Sequence, residues 1–444
     1  MDYSETLAEL GIHVPDILIP ENTHDLSRWA VVACDQYTQD RNYWKTAADY
    51  VGRAPSTLNI ILPEIYLEDD DRESRLDSIR GKMKEYLGSA ENTADTGIFA
   101  KPLHGFIYIE RKTAYGRTRK GLVAAIDLEA YDWRPGSKAL IRATEATIVD
   151  RIPPRMEIRR GAPVELPHIM LLINDPEKIC IEEAGIQAKK HPPLYETPLM
   201  ADAGSITGWE ISGTQAFSRI ADAFNRIAEK NTSDDGSCFL FAVGDGNHSL
   251  ATAKAVWEEF KKENTAAPDI EKHPARFALV EIVNLFDEGL TFEPIHRVLF
   301  GTDSAEVSAF VQKKLGGTIL PCGSEKELAE LVNTDDSTRF GFVSGGKLSC
   351  LETPDSALAV SRLQPALDTF LEKNPKVKID YIHGSEEVFR LGKEQNTTAI
   401  LLPPVEKESF FMTIGKRGPL PRKSFSMGEA SEKRFYLECR RLFG

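Results

Sequence analysis

With 444 residues, 41% hydrophobic and 27% charged, the chain has a globular composition and is too long for one ordinary core, so two or three packed units are expected. A formal net charge of −14 opposes general attraction to a phosphate backbone, which disfavours nucleic acid as a partner, and no apolar run approaches the roughly 20 residues of a membrane span. Six widely spaced cysteines with no CxxC pair argue against a disulfide framework or a zinc ribbon, and the acidic start Met1 to Glu5 has no signal-like apolar run behind it, so the expected compartment is the cytoplasm.

In chain order, the first hundred residues predict an irregular start followed by helices. Trp29 to Val32 predicts a short strand, and Ala33-Cys34-Asp35-Gln36-Tyr37-Thr38 puts polar side chains at its end, where a turn is the simplest reading. Leu76, Ile79, Met83 and Tyr86 recur at helical spacing between Arg72 and Leu87, with Gly88 as a stop. The acidic run Glu68 to Asp71 suits a solvated helix N-terminus better than a metal site. Gly105 to Glu110 and Leu122 to Asp127 predict two strands of a hairpin or meander, joined by the polar stretch Arg111 to Gly121. Leu166 to Ile173 predicts another strand, and Gln215 to Lys230 a helix with Phe217, Ile220, Phe224 and Ile227 on one face.

Cys238 to Val243 is a short all-apolar run, as a strand covered on both faces requires, and Ser249 to Lys262 reads as a helix. Phe277 to Phe286 predicts a further strand. Beyond Gly301 the pattern becomes short alternating elements: helices near Glu306 to Leu315, Glu325 to Val332 and Ala357 to Glu372, and strands near Phe340 to Val343, Ala399 to Leu402 and Phe410 to Ile414. These elements predict a mixed α/β (α+β) fold in three parts: residues 1–200 with the hairpin and an Arg/Glu cluster, 201–300 with the strand-loop-helix core, and 301–444 as an additional C-terminal α/β subdomain.

Between that buried strand and its helix stands Gly244-Asp245-Gly246-Asn247-His248-Ser249, the best candidate for a functional site. Two glycines permit a tight turn and close backbone approach to a ligand, and the first amides of the next helix are anion donors, so phosphate is the natural guest. Asp245 repels phosphate unless a cation bridges them or it takes a proton from a nucleophile, which points to a metal-assisted or acid/base site with Asp245 as the candidate metal ligand. His248 suits a donor to a phosphoryl oxygen or a general acid. The alternative is that Asp245 or Asn247 merely caps the helix and His248 satisfies a turn carbonyl. A Rossmann reading lacks its third glycine, and a calcium loop lacks its turn glycine (Leu250) and its final glutamate (Val256).

A second constellation gathers Arg142, Arg151, Arg155, Arg159 and Arg160 around Glu145, Thr147 and Asp150. Such a set suits a carboxylate or phosphate site with Glu145 as a base, and it equally suits ion pairs on a solvated face. Pro421-Arg422-Lys423-Ser424 puts a cation and a hydroxyl in a proline-stiffened loop, while His168, His296 and His383 read individually as satisfied histidines.

Taken together and in order, Ala33 to Thr38, Arg142 to Thr147 with Arg155, Gly244 to Ala253, Pro294 to Arg297, Tyr381 to Gly384 and Pro421 to Ser424 resemble the bacterial family called domain of unknown function 1015. Its strand-end motif, usually Asp-Gly-His-His-Arg, is similar to that of the ParB/sulfiredoxin-like superfamily, which includes a free-serine kinase. The resemblance implies a ParB-like core and a nucleotide or phosphate pocket. Asp245, His248 and Glu145 would then be catalytic, with Gly244, Gly246, Asn247, Ser249, Arg142, Thr147, Arg151 and Arg155 around the phosphate or nucleotide. The implied activity is a small-molecule phosphotransferase, an ATP- or ADP-dependent kinase using Mg2+; the alternative is a non-catalytic ligand sensor or partner-binding protein on the same scaffold. Asn247 and Ser249 stand where the motif usually has histidine and arginine, and Thr144 where a histidine usually precedes the glutamate.

Overall fold

The computed structural model describes residues 2–88, 97–302, 304–333, 337–421 and 423–443, and only the backbone of Arg151 and Ser304. Arg422 therefore lies outside the described residues. The fold is mixed α/β, and contacts divide the chain into two compact units: Met1–Ala143, Thr147–Leu290 and Glu429–Gly444 in the first, Thr144–Ala146 and Thr291–Gly428 in the second. Among the described residues no helix is long and apolar enough to cross a membrane.

The first unit is built on a ten-stranded mixed sheet. Its order runs Tyr195–Leu199, Gly204–Ile211, Phe106–Thr113, Thr118–Asp127, Phe277–Asn284, Met170–Ile173, Phe241–Asp245, Ile141–Ala143 and Tyr131–Asp132, with Ile12–His13 also pairing Thr118–Asp127. The predicted hairpin forms, but its strands run on into the polar stretch and leave a link of four residues, 114–117. The reason is that Arg111 and Arg119 are buried at 1% and 3% exposure, so these charged positions belong to the core and not to a solvated loop. The helix Thr214–Lys230 buries Phe217, Ile220, Phe224 and Ile227 as its spacing predicts, each such side chain contributing roughly 1.5–3 kcal/mol.

Three local expectations are corrected. Trp29 closes a short helix, Leu26–Trp29, because Asp25 caps it by accepting the Ser27 N–H at 3.0 Å; only Val31–Val32 is strand, paired with Phe435–Tyr436. Pro167 interrupts the run from Leu166, so that strand begins at Met170. The central strand starts at Phe241 and continues to Asp245, which takes Gly244 and Asp245 out of the predicted turn.

The second unit has a six-stranded antiparallel sheet in the order Thr318–Cys322, Lys347–Glu352, Arg339–Ser344, Thr397–Leu401, His296–Phe300, Lys378–Ile382. Period-two alternation sends Leu299, Phe340, Phe342 and Ile400 to one face, against Val307, Val311, Leu363 and Leu367 of two helices. Val298, Val343, Ala399 and Leu401 cover the other face, against Leu328 and Val388. Phe410 to Ile414, predicted as a strand, lies in the helix Lys407–Arg417, where Phe410 and Ile414 share a buried face one turn apart. Short aromatic runs fit either period, and here tertiary burial decides.

Candidate functional site

The strand Phe241–Asp245 ends in an irregularity. Met170 pairs with Asp245 and Leu171 with Val243, so Gly244 is an extra residue opposite its partner strand. A bulge of this kind reverses the side-chain alternation beyond it and re-aims the next residue, here Asp245. Gly246 then makes the turn alone, at φ 82°, as the N-cap of the helix Asn247–Glu263. A Cβ at that position would lie 3.1 Å from the Ile169 Cα and 3.5 Å from the His168 Cδ2, so glycine is required by backbone angle and by space. Helical hydrogen bonding begins with Leu250 N–H donating to Gly246 O at 2.9 Å. The amides of Asn247, His248 and Ser249 therefore form the first turn and have no acceptor inside the helix.

Asp245 accepts the Gly246 N–H at 3.1 Å, and its Oδ2 lies 3.4 Å from the Lys433 ammonium, with the two side chains only 22% and 14% exposed. Lys433 carries no motif signal and arrives from the C-terminal segment, so it was invisible in the sequence. His248 Nε2 accepts the Ile148 N–H at 3.2 Å, which places the ring proton on Nδ1 and ties the segment after Thr147 to the helix. Thr147 Oγ1 is buried without a hydrogen-bond partner among the described residues. Asn247 Nδ2 donates to Val243 O at 3.3 Å.

Ser249, in the first helical turn, shares a hydrogen bond of 2.6 Å with His168 Nε2. His168 Nδ1 lies 3.0 Å from the Tyr436 hydroxyl, which also accepts the Cys34 N–H at 3.1 Å. The segment Ala33 to Thr38, read above as a turn, thus reaches the site through a backbone amide. Burial, then the neighbouring Asp35, pushes the Cys34 thiol up to about 12, which leaves it no thiolate for chemistry. Glu64 N–H donates to Cys34 O at 2.8 Å, and the Glu64 carboxylate accepts from Arg155 Nε at 2.9 Å.

The arginine-rich constellation disperses. Arg142 donates to the Ala139 carbonyl, ahead of its own strand, and to the Cys238 carbonyl, ahead of the strand whose far end holds Asp245, and lies 4.7 Å over Phe239. Arg159 pairs with Glu165 at 2.6 Å, and Arg160 forks onto Glu259 at 2.6 and 2.7 Å. Arg155 alone joins the network around Cys34, and the side chain of Arg151 lies outside the described residues. Glu145 belongs to the second unit, where it accepts the Ser424 N–H at 3.4 Å. The single cluster suggested by proximity in sequence is therefore several separate pairings.

Among the described residues no group of three or more His, Cys, Asp or Glu side chains could hold a metal ion. With Asp245 Oδ2 beside Lys433, this donor set does not fit a resident Mg2+, and the ammonium supplies the nearby positive charge.

The family model described as "Protein of unknown function (DUF1015)" matches residues 18–370. The chain belongs to this family. The DUF1015 match spans the ordered motifs from Ala33 to Arg297, while Tyr381 to Gly384 and Pro421 to Ser424 lie beyond it. In structure the chain is similar to a free serine kinase in complex with ADP, at 11% identity and a TM-score of 0.37 over 70% of this chain and 90% of that one. It is also similar to a conserved hypothetical protein from Pyrococcus furiosus, at 11% identity and 0.34 over 72% and 95%. A third likeness is to SbnI with C-terminal truncation from Staphylococcus aureus, at 8% identity and 0.34 over 69% and 83%. No curated protein matches the sequence.

Proposed function

We propose that this chain is a nucleotide- or phosphate-binding enzyme, a small-molecule phosphotransferase, that binds phosphate at the first turn of the helix Asn247–Glu263. The observation that carries the reading is the Asp245–Lys433 pair at that turn. A helix N-terminus is equivalent to roughly +0.5 elementary charge, which a lone carboxylate would outweigh. With Lys433 3.4 Å away the pair is neutral, and the helix field is left to attract an anion. Thr147 Oγ1, buried without a hydrogen-bond partner among the described residues, adds a hydroxyl beside the tethered Ile148. Glu145 takes no part in this reading.

Calorimetric titration of ATP, ADP and GTP tests it. The wild type is expected to bind at least one nucleotide, and to do so in EDTA, because Lys433 rather than a metal offsets Asp245. Lys433→Met, which leaves the carboxylate uncompensated, is expected to weaken binding at least about tenfold, the effect of about 1.4 kcal/mol. Asp245→Asn is expected to keep binding or tighten it. A wild type that binds none of the three nucleotides ends the proposal.

A further inference from the structure

We propose that Ser249 is itself a nucleophile that takes the phosphoryl group, with His168 as its base and Tyr436 as the residue that positions the base. The inference rests on the reading of the first helical turn as a phosphate pocket and deepens it.

The geometry has the three parts that nucleophilic catalysis by an alcohol needs: a hydroxyl, a base in line with it, and a group that holds the base from behind. Ser249 Oγ and His168 Nε2 are 2.6 Å apart, within direct proton-transfer reach. The other nitrogen, Nδ1, is 3.0 Å from the Tyr436 hydroxyl, so both ends of the imidazole are engaged and its plane is set. Tyr436 is fixed in turn: it is 2% exposed, its backbone pairs with Val31, and its oxygen accepts the Cys34 N–H. Burial pushes its phenol well above 10, so it orients the ring as a neutral hydroxyl and keeps its own proton.

Position matters as much as contact. Ser249 is half-buried and three residues beyond Gly246, so its oxygen belongs to the first turn of the helix Asn247–Glu263. The close approach of Gly246 to Ile169 and His168 sets the base against that turn. A histidine kept only for packing would not require a half-exposed serine as its second partner.

The chemical step balances as follows. Ser249 Oγ forms a bond to the terminal phosphorus of a nucleoside triphosphate while the bond from that phosphorus to its bridging oxygen breaks. The electron pair of the broken bond leaves with the nucleoside diphosphate. The hydroxyl proton passes to His168 Nε2, whose Nδ1–H then donates to Tyr436. The products are phosphoserine at 249, an imidazolium and the diphosphate.

The test is incubation of the full chain with ATP labelled in its terminal phosphate, acid quench, and peptide mapping by mass spectrometry, with ATP binding followed in parallel by calorimetry. The wild type is expected to gain one phosphoryl group, on Ser249. Ser249→Ala is expected to bind ATP within about threefold and carry no label. His168→Gln is expected to label at least about a hundredfold more slowly, the scale of a lost general base. Tyr436→Phe is expected to slow labelling while leaving ATP affinity unchanged, a split that a loss of folding would not produce. ATP binding without label on Ser249, or equal label in Ser249→Ala, overturns the nucleophile and leaves the phosphate pocket standing. Absence of ATP binding in the wild type removes both.

Discussion

The polar network around Glu281 is charged and sealed, whereas the chain from Ser249 to Cys34 is uncharged and reaches a half-buried edge. Glu281, at 0% exposure, accepts from Arg119 at 3.2 Å and from Arg434 at 3.0 Å, and Arg434 also meets Glu438, which bonds Tyr195. Gly121 makes the space: a Cβ there would sit 2.6 Å from a Glu281 carboxylate oxygen. Burial alone would raise the Glu281 carboxyl, yet Arg119 and Arg434 hold it below the usual carboxylate range. The second network runs Ser249, His168, Tyr436 and the Cys34 amide. Both tie the C-terminal segment, Glu429–Gly444, into the first unit, but only the second ends on a half-exposed side chain, that of Ser249. The lesson is that charge marks the part of this unit that holds the fold, while the proposed chemistry sits where a relay of neutral groups meets a strand end.

The comparison breaks most visibly at Arg434. Arg434→Met would leave Glu281 and Glu438 facing each other's charge in the interior, and breaking a buried pair costs about 3–5 kcal/mol. That is a large share of the roughly 5–15 kcal/mol available to a domain. Urea unfolding of the first unit is expected to show it, and adding Glu281→Leu is expected to recover little, because Glu438 stays uncompensated and Arg119 then loses its carboxylate as well. A single-variant loss under about 1 kcal/mol would mean the sealed network is not what anchors the C-terminal segment.

The second unit sharpens the contrast with a different histidine. His296 is 4% exposed, its Nδ1 accepts the Leu402 N–H at 3.1 Å, and burial, then Arg297 and His383, lowers its pKa from 6.5 to about 4. A buried neutral histidine favours the folded state fully above 6.5. As pH falls from 6.5 to about 4 the unfolded chain binds a proton that the folded chain does not, and stability drops by about 3 kcal/mol. His296→Gln is expected to flatten that part of the stability–pH curve. An unchanged slope between pH 6.5 and 4 would show that His296 is as accessible to protons when folded as when unfolded.

What the sequence made legible was local. The helix Arg72–Leu87 and the helix Glu325–Val332 follow from spacing and caps, and the strand, glycine and helix around Asp245 were readable because they are contiguous. The relay was not readable, because Ser249 and Tyr436 are separated by 81 and 268 positions from His168, which joins them. Lys433 and Arg434 carry no motif signal for the same reason: the strand pairing of Phe435–Tyr436 with Val31–Val32 brings them inward. Gly244 was read as a turn residue because register shifts leave no mark in a one-dimensional pattern.

The smallest effect is expected where sequence proximity was most suggestive. Arg160 was grouped with Arg142 and Arg155 as a possible anion clamp, yet its guanidinium forks onto Glu259 with side chains 43% and 36% exposed. Solvent screens such a pair, and its two long side chains lose entropy by meeting, so its net worth is about 0.2–1 kcal/mol. Arg160→Ala is therefore expected to move the unfolding midpoint only slightly and to leave nucleotide affinity unchanged. If it instead weakened nucleotide binding tenfold, a solvated arginine paired with Glu259 would belong to the pocket. The division between charges that hold the fold and neutral groups that do the chemistry would then fail at its simplest point.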